Sequence, residues 1–282
     1  MPATQVLRFG HSPDPDDAFM FYGFAAGAVT VEGYRVEHVL EDIESLNRRA
    51  ESAELEITAV SAHAYARLAD RYWVMRTGAS VGRGYGPIVV ARVGGPLAGL
   101  EDLAGRTVAL PGASTTAALV FALYAPACRA VQRPFDAILD DVAQGRADAG
   151  VIIHEGQLTF ADHGVRRLAD LGELWRADTG LPLPLGLDVV RRDLGRPLAD
   201  AASRALRASI EYARAHEEEA LDYALRYGRG LEREVGRRFV NMYVNADTLD
   251  LGPEGERALG ALYERAAARG LIPRAPELVV VG

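Results

Sequence analysis

The sequence predicts an α/β fold with two lobes. Strand-like and helix-like segments alternate along the 282 residues, which is typical of sheets covered by helices. At three places a short apolar strand is followed by a serine and then by a helix. Two extended segments that begin at Gly82 and Thr179 each lead into a further strand. We therefore expect a first lobe of residues 1–91 and 186–282 and an inserted second lobe of residues 92–185.

Local patterns predict the elements in chain order. Ser12-Pro-Asp-Pro-Asp-Asp combines a capping side chain with prolines, which is a helix-start signal. Apolar runs and alternation predict strands at residues 5–9, 34–40, 55–60, 88–92, 107–110 and 151–153. Helical spacing predicts helices after residue 12 and at residues 43–50, 62–68, 117–124, 197–216, 217–227, 231–243 and 257–269.

The segment 147–155, Ala-Asp-Ala-Gly-Val-Ile-Ile-His-Glu, delivers a histidine at the end of a buried strand. Ligands of open α/β sheets bind beyond the carboxyl ends of the strands. Histidine changes charge near neutral pH, so His154 is the candidate catalytic residue. The alternative is a strand-end histidine that only bonds the backbone. Glu155 either orients the imidazole or caps the next helix.

The three strand–serine–helix junctions contain Ser12, Ser61 and Ser114. The first turn of a helix presents unpaired amides and a partial positive charge, which suit a carboxylate or phosphate. Serine hydroxyls add donors that do not depend on pH. The alternative is that each serine merely caps its own helix. We expect at least one of them to bind a small anionic molecule.

The composition limits the kinds of molecule that this protein is expected to bind. The chain is 49% hydrophobic and 25% charged, and its 31 basic and 39 acidic residues give a net charge of −8. This charge argues against binding to nucleic acid or to an anionic membrane, and an anionic substrate would need a local positive site. The single cysteine, Cys128, excludes an intramolecular disulfide and cysteine-based zinc sites.

The chain carries no pattern of a membrane or secreted protein. Met1-Pro-Ala-Thr-Gln has no basic or apolar leader pattern, and no apolar run reaches 18 residues. We expect a cytoplasmic protein with no membrane partner. An apolar helix face for a homodimer stays open, because helical spacing does not separate such a face from core.

Five motifs together carry a family resemblance. They are Ser12-Pro-Asp-Pro-Asp-Asp-Ala-Phe-Met-Phe-Tyr, Leu40-Glu-Asp-Ile-Glu-Ser-Leu-Asn-Arg, Gly82-Arg-Gly-Tyr-Gly-Pro-Ile-Val-Val-Ala-Arg, Ile152-Ile-His-Glu and Thr179-Gly-Leu-Pro-Leu-Pro-Leu-Gly. The chain resembles the 1,4-dihydroxy-6-naphthoate synthases of the futalosine route to menaquinone over nearly its whole length. The resemblance implies a type II periplasmic-binding-protein-like fold with the active site between the lobes. It also implies that cyclic dehypoxanthine futalosine is split to 1,4-dihydroxy-6-naphthoate and dihydroxyacetone, with no metal or redox cofactor.

The resemblance also implies roles for particular residues. His154 matches the general base of the family. Ala59, Val60 and Ser61 fall in its first substrate-binding segment, and Thr115 and Thr116 match the second. Ser12 and Ser114 are added as substrate-binding candidates by the junction argument above.

The chain departs from the family pattern at the first junction. Asp14, Asp16 and Ala18 stand where the family has cysteine, asparagine and threonine, and Ala59 stands where it has lysine. If all lie near the site, this change opposes a bound carboxylate by about a few kcal/mol. Either the carboxylate binds elsewhere, at Ser114-Thr-Thr, or the chain is a paralogue with another ligand.

Three other functions are weighed. Chorismate dehydratase has the same fold, but the opening motif and the Leu-Pro-Leu-Pro segment resemble the synthase better. A non-catalytic solute-binding protein is the second alternative. The third is a metal site built from His11, Asp14, Asp16, Asp17 and His63. Their spacing matches no dedicated metal motif, and aspartates at a helix start are more often caps.

Overall fold

The computed structural model describes residues 5–228 and 230–282. The chain forms two compact units. The first unit comprises residues 1–81, 186–257 and 276–282, and the second comprises residues 82–185 and 258–275.

Two segments belong to the second unit although the sequence assigned them to the first lobe. Residues 82–91 do so because the strand at Ile88–Arg92 pairs with two strands of the second sheet. Residues 258–275 do so because Arg265 forms an ion pair with Asp178 and lies 5.7 Å from the Trp175 ring centroid.

The strands and helices are numbered in chain order. The strands are β1 Gln5–His11, β2 Tyr34–Leu40, β3 Ile57–Ser61, β4 Tyr72–Met75, β5 Ser80–Gly82, β6 Ile88–Arg92, β7 Thr107–Leu110, β8 Arg129–Gln132, β9 Ala149–Ile152, β10 Val165–Asp170, β11 Leu183–Arg191 and β12 Val280–Val281. The α-helices are α1 Pro15–Met20, α2 Tyr22–Ala25, α3 Ile43–Glu51, α4 Ala62–Tyr65, α5 Thr116–Tyr124, α6 Ile138–Ala143, α7 Gly156–Thr159, α8 Leu171–Thr179, α9 Arg196–Ala215, α10 Glu217–Leu225, α11 Arg233–Tyr243, α12 Ala246–Leu249 and α13 Gly252–Ala268.

The sheet of the first unit has the order β12-β4-β11-β3-β1-β2, and β5 also pairs with β11. Strand β1 runs parallel to β2 and to β3, whereas β11 is antiparallel to β3 and β4. The carboxyl ends of β1, β2 and β3 therefore share one sheet edge.

The sheet of the second unit has the order β10-β6-β9-β7-β8. Strand β7 runs parallel to β8 and β9, and β6 is antiparallel to β9 and β10. Both sheets thus place three parallel strands beside an antiparallel one, in the same spatial order. The carboxyl ends of β7, β8 and β9 share one edge of this second sheet.

Each unit has its own apolar core. In the first, the rings of Phe9, Phe21 and Phe24 pack with centroids 5.5 to 6.1 Å apart, against the apolar face of α9. In the second, Ile138 and Val142 of α6 pack on Val90 and Ile152 of the sheet. Burial of such side chains is the main stabilising contribution in each unit.

Most predicted elements are present, and the differences have physical reasons. Helix α4 ends at Tyr65 instead of continuing to residue 68, because the chain goes on in tighter turns closed by bonds such as Arg67 N to Ala64 O, 3.0 Å. Strand β8 was not predicted, since it lies at a sheet edge and shows no alternation of buried and exposed residues. Within the described part of the chain, no helix combines the length and apolar character needed to cross a membrane.

Candidate functional site

His154 lies two residues after the end of β9, in a strained backbone conformation. Its φ of 56° is in the left-handed region, which residues other than glycine rarely adopt. This conformation costs about 1–3 kcal/mol, and such strain concentrates at functional sites. The geometry supports a specific placement of this side chain over a routine strand end.

The His154 ring packs edge-to-face against Phe135, with ring centroids 4.7 Å apart. The His154 carbonyl accepts a hydrogen bond from the amide of Gln157, 3.1 Å, at the start of α7. Glu155 precedes α7 but makes no side-chain capping bond to it. Glu155 thus occupies the N-cap position without a capping bond from its side chain, and its orienting role stays a prediction.

The segment before α5 was predicted to supply hydroxyl donors. Thr115, not Ser114, is the N-cap, and its Oγ1 accepts from the Ala118 amide at 3.2 Å. The same Oγ1 donates to the Gly112 carbonyl at 2.8 Å, and Thr116 Oγ1 donates to the Leu185 carbonyl at 2.6 Å. Both threonine hydroxyls thus donate to the backbone, so the amides of the first turn are the better candidates for ligand binding.

Ser12 follows β1 and bonds within its own turn. Its hydroxyl donates to an Asp14 carboxylate oxygen and accepts from the Asp14 amide at 2.9 Å. Its own amide donates to Asp17 Oδ2 at 2.8 Å. The N-cap of α1 is Asp14, so the alternative that Ser12 merely caps this helix is wrong.

Ser61 ends β3 and is 4% exposed. It occupies the N-cap position of α4, yet its side chain makes no capping bond. Its amide donates to Asn47 Oδ1 at 2.8 Å, and its Oγ accepts from Asn47 Nδ2 at 3.1 Å. Asn47 of α3 is itself 1% exposed, so this is a buried link between α3 and β3.

The other two residues of the predicted first substrate-binding segment, Val60 and Ala59, provide fewer groups that could bind a ligand. The Val60 side chain is fully buried, so any ligand contact from Val60 comes from its backbone. Ala59 is half-buried and lies opposite Asp188 in the antiparallel pairing of β3 with β11. Directly opposed residues have Cβ atoms about 5 Å apart, so Ala59 has a carboxylate as its neighbour.

Acidic groups gather in this part of the first unit. Burial raises the pKa of Asp188 to about 8, and its Oδ2 has no hydrogen-bond partner within residues 5–228 and 230–282. Burial, and then the carboxylates of Asp188 and Asp14, raise the pKa of Asp17 well above its usual value. Exclusion of water disfavours the charged form of both carboxyl groups, and in Asp17 the neighbouring carboxylates add to this effect.

Two histidines lie at the same sheet edge. His11 Nδ1 bonds the Ser12 carbonyl at 2.9 Å, and His11 Nε2 bonds His38 Nδ1 at 3.0 Å. The His11 ring also stacks on Phe21 at 4.1 Å. Both ring nitrogens of His11 are therefore engaged by the protein. Among the described residues, no group of three His, Cys, Asp or Glu side chains has the arrangement of a metal site.

The structure brings the candidates together in two sets. Ser12 follows β1, and Ser61 ends β3, the adjacent parallel strand of the first unit, where Phe9 lies opposite Ile57. Thr115 and His154 follow adjacent parallel strands of the second unit, where Val108 lies opposite Ala149. Within each unit, residues distant in sequence thus share one sheet edge.

Sequence reasoning missed Asn47 and Asp188. Ile43, Leu46, Asn47 and Ala50 have the spacing of one helix face, so an amide within this apolar stripe was the available signal for Asn47. No comparable signal marked Asp188, since it follows a leucine and precedes two valines in a strand whose pairing the sequence does not show.

Comparison with known proteins identifies the family of this chain. A family model described as menaquinone biosynthesis matches residues 7–268. The chain belongs to this family.

Two relatives of this family have the same name, 1,4-dihydroxy-6-naphthoate synthase. The Thermus thermophilus protein is 47% identical over 277 residues, covering 98% of this chain and 100% of the relative. The Streptomyces coelicolor protein is 36% identical over 277 residues, covering 96% of both chains.

Solved structures of other proteins have the same fold as this chain. An Archaeoglobus fulgidus protein has a TM-score of 0.90 at 46% identity, covering 96% of this chain and 100% of the other. The ligand-binding component of a Staphylococcus aureus ABC-type importer has a TM-score of 0.71 at 12% identity, covering 97% and 94%. At that identity the likeness shows the fold alone. The predicted α/β fold of the periplasmic-binding-protein type is confirmed.

Proposed function

We propose that this protein is a 1,4-dihydroxy-6-naphthoate synthase, which splits cyclic dehypoxanthine futalosine into 1,4-dihydroxy-6-naphthoate and dihydroxyacetone. The observation that carries the proposal is the 47% identity to a synthase of this name over the relative's whole length. The likeness to importer components, at 12% identity, supports no transport role.

In this proposal His154 is the general base. It takes a proton from the substrate, and elimination and carbon–carbon cleavage follow, driven by aromatisation of the product ring. Three features support the assignment: the place of His154 after β9, its left-handed backbone and its contact with Phe135. Proton transfer by a positioned side chain contributes about 10²- to 10⁴-fold in rate.

The substrate carboxylate is proposed to bind at the start of α5 in the second unit. Amides and the helix dipole favour an anion there. The first unit is less suited at Ser12, because the Ser12 amide already donates to Asp17 Oδ2 and its hydroxyl to Asp14. The departures from the family pattern left two explanations, a carboxylate that binds elsewhere or a paralogue with another ligand. This placement follows the first explanation, because it puts the carboxylate away from the acidic residues.

The remaining expectations form part of the same proposal. The reaction is a carbon–carbon lyase reaction that splits one molecule into two and draws on no metal or redox cofactor. The partner is a small anionic molecule, with no role for nucleic acid or a membrane. We place the protein in the cytoplasm, since the family serves a biosynthetic route. A homodimer remains to be tested by its mass in solution.

Conversion of cyclic dehypoxanthine futalosine tests the proposal, with 1,4-dihydroxy-6-naphthoate followed by chromatography. We expect product from the wild type and a fall in kcat of at least ~100-fold in His154→Ala. His216→Ala is the matched control, because His216 is an exposed histidine at the end of α9. We expect its kcat to equal that of the wild type.

Two outcomes would contradict the proposal at different points. If folded wild-type protein forms no product, the synthase assignment is wrong. If product forms and His154→Ala keeps wild-type kcat, the reaction stands but the base is another residue.

A further inference from the structure

The amide of Asn47 has a fixed orientation. Its Oδ1 lies 2.8 Å from the backbone nitrogen of Ser61. A backbone N–H can only donate, so the atom facing it must be the amide oxygen. This contact settles the choice between amide oxygen and nitrogen, which shape alone leaves open.

The orientation of Asn47 in turn fixes the Ser61 hydroxyl. Asn47 Nδ2 lies 3.1 Å from Ser61 Oγ and can only donate. Ser61 Oγ is therefore an acceptor in this bond, and its hydrogen points elsewhere. Within the described part of the chain, the Ser61 hydroxyl hydrogen meets no acceptor, and the side chain does not cap α4.

A buried donor without an acceptor is costly unless something else accepts it. Ser61 is 4% exposed and ends β3, at the sheet edge that also carries Ser12. An amide in the apolar stripe of α3 is likewise costly unless it is bonded, and both of its bonds go to Ser61. The pair thus leaves one O–H donor of Ser61 with no acceptor among the described residues.

We propose that Asn47 is a positioning residue that holds the Ser61 hydroxyl as a hydrogen-bond donor to an oxygen atom of the substrate. The inference rests on the proposed function, because it takes the substrate of that reaction as the acceptor. The substrate oxygen is a carbonyl or hydroxyl oxygen, since the proposed function assigns the substrate carboxylate to the start of α5.

The test is a double-mutant cycle on Asn47→Asp and Ser61→Ala. Aspartate has the shape of asparagine, but both of its oxygens accept, so it would take the Ser61 O–H as well as the amide. We expect each single variant to lower kcat/KM by about 10- to 100-fold, mainly through a higher KM. We expect the double variant to be no worse than Ser61→Ala alone.

Arg48→Gln is the matched control for charge. It changes the net charge by the same −1 as Asn47→Asp, on the same helix, and the Arg48 side chain is 72% exposed. We expect wild-type kcat/KM from it. Circular dichroism and thermal unfolding confirm that each variant is folded.

Two results would overturn the inference. If Asn47→Asp lowers kcat/KM by the same factor with and without Ser61, Asn47 acts independently of that hydroxyl. If Ser61→Ala leaves KM unchanged, the hydroxyl donates nothing to the substrate.

Failure of the proposed function would be visible separately, as absence of product in the wild type. The link itself is then measured by NMR, through the exchange rate and chemical shift of the Asn47 side-chain amide protons. We expect slow exchange in the wild type and faster exchange in Ser61→Ala. Identical exchange in both would show that Asn47 does not hold Ser61, and would overturn the inference without any substrate.

Discussion

At the scale of single residues, the His11–His38 pair has its protons fixed by its neighbours. The Ser12 carbonyl can only accept, so His11 carries its proton on Nδ1. His11 Nε2 must then accept from His38 Nδ1. Each ring is neutral, and burial followed by the neighbouring His38 lowers the pKa of His11 to about 3.

This pair predicts a loss of stability in acid. Between pH 6.5 and about 3 the unfolded chain binds a proton at His11 that the folded protein does not, so stability falls as pH falls through this window. The free energy of unfolding should drop by roughly 3 kcal/mol more between pH 7 and 4 in the wild type than in His11→Asn, which keeps a donor towards Ser12. Urea unfolding at both pH values measures it, with the exposed His216→Asn as control. Equal slopes in wild type and His11→Asn would show that His11 does not titrate on unfolding.

Asp188 predicts the opposite pH dependence. Its carboxyl group keeps its proton in the folded protein up to about pH 8, whereas the unfolded chain releases it near 3.8. Stability from this group is therefore present below pH 3.8 and is lost as pH rises to about 8. We expect Asp188→Asn to gain roughly 4 kcal/mol over the wild type between pH 4 and 8.

Urea unfolding of Asp188→Asn across this range checks the prediction. Asp162→Asn, at an exposed aspartate, is the control and should follow the wild type at every pH. A constant difference between Asp188→Asn and the wild type would mean that the group stays ionised when folded.

The sequence predicted the place of some residues but not the partners of others, and the difference has a physical reason. The place of His154 followed from a local pattern, an apolar strand with a histidine at its end. The pairings of Ser61 with Asn47 and of Ala59 with Asp188 join segments 14 and 129 residues apart. Such contacts depend on tertiary packing, so one sequence alone does not show them.

At the scale of elements, α5 depends on one side chain at its start. Thr115 Oγ1 accepts from Ala118 N and donates to Gly112 O, so it closes the turn before the helix as well as the first turn within it. The helix itself was predictable from a continuous apolar run. The alternative interpretation of Ser114 as the cap places the cap one position too early, because three adjacent hydroxyl residues offer the same signal.

Substitution of Thr115 tests whether its hydroxyl is structural. We expect Thr115→Val to lower the free energy of unfolding by about 1 kcal/mol, since the cap is lost. Thr115→Ser keeps an oxygen in place and should retain both stability and kcat/KM. If Thr115→Ser lost activity while remaining stable, the methyl group would contact the substrate, and a role through the amides alone would be wrong.

At the scale of the whole molecule, the two sheets have the same arrangement of strands. In each sheet, the carboxyl ends of three parallel strands lie at one edge of that sheet. The sequence predicted two lobes, because two extended segments interrupt its alternating pattern. It did not predict that residues 258–275 belong to the second unit, since helical spacing in α13 continues without interruption across Arg257 and Ala258. Unit membership is set by packing partners such as Asp178, which lie far away in sequence.

The division of the chain also affects how it folds as it is made. Strand β12, at Val280–Val281, pairs with β4, and Arg76 Nε donates to the Gly282 carbonyl at 3.1 Å. The first unit therefore contains the earliest and the latest described strands, while the second unit closes only after residue 275. At 5–20 residues per second, β4 waits on the order of tens of seconds for its partner β12 to leave the ribosome. Until then the edge of β4 that pairs with β12 has no strand partner, and its backbone amides and carbonyls are open to other chains.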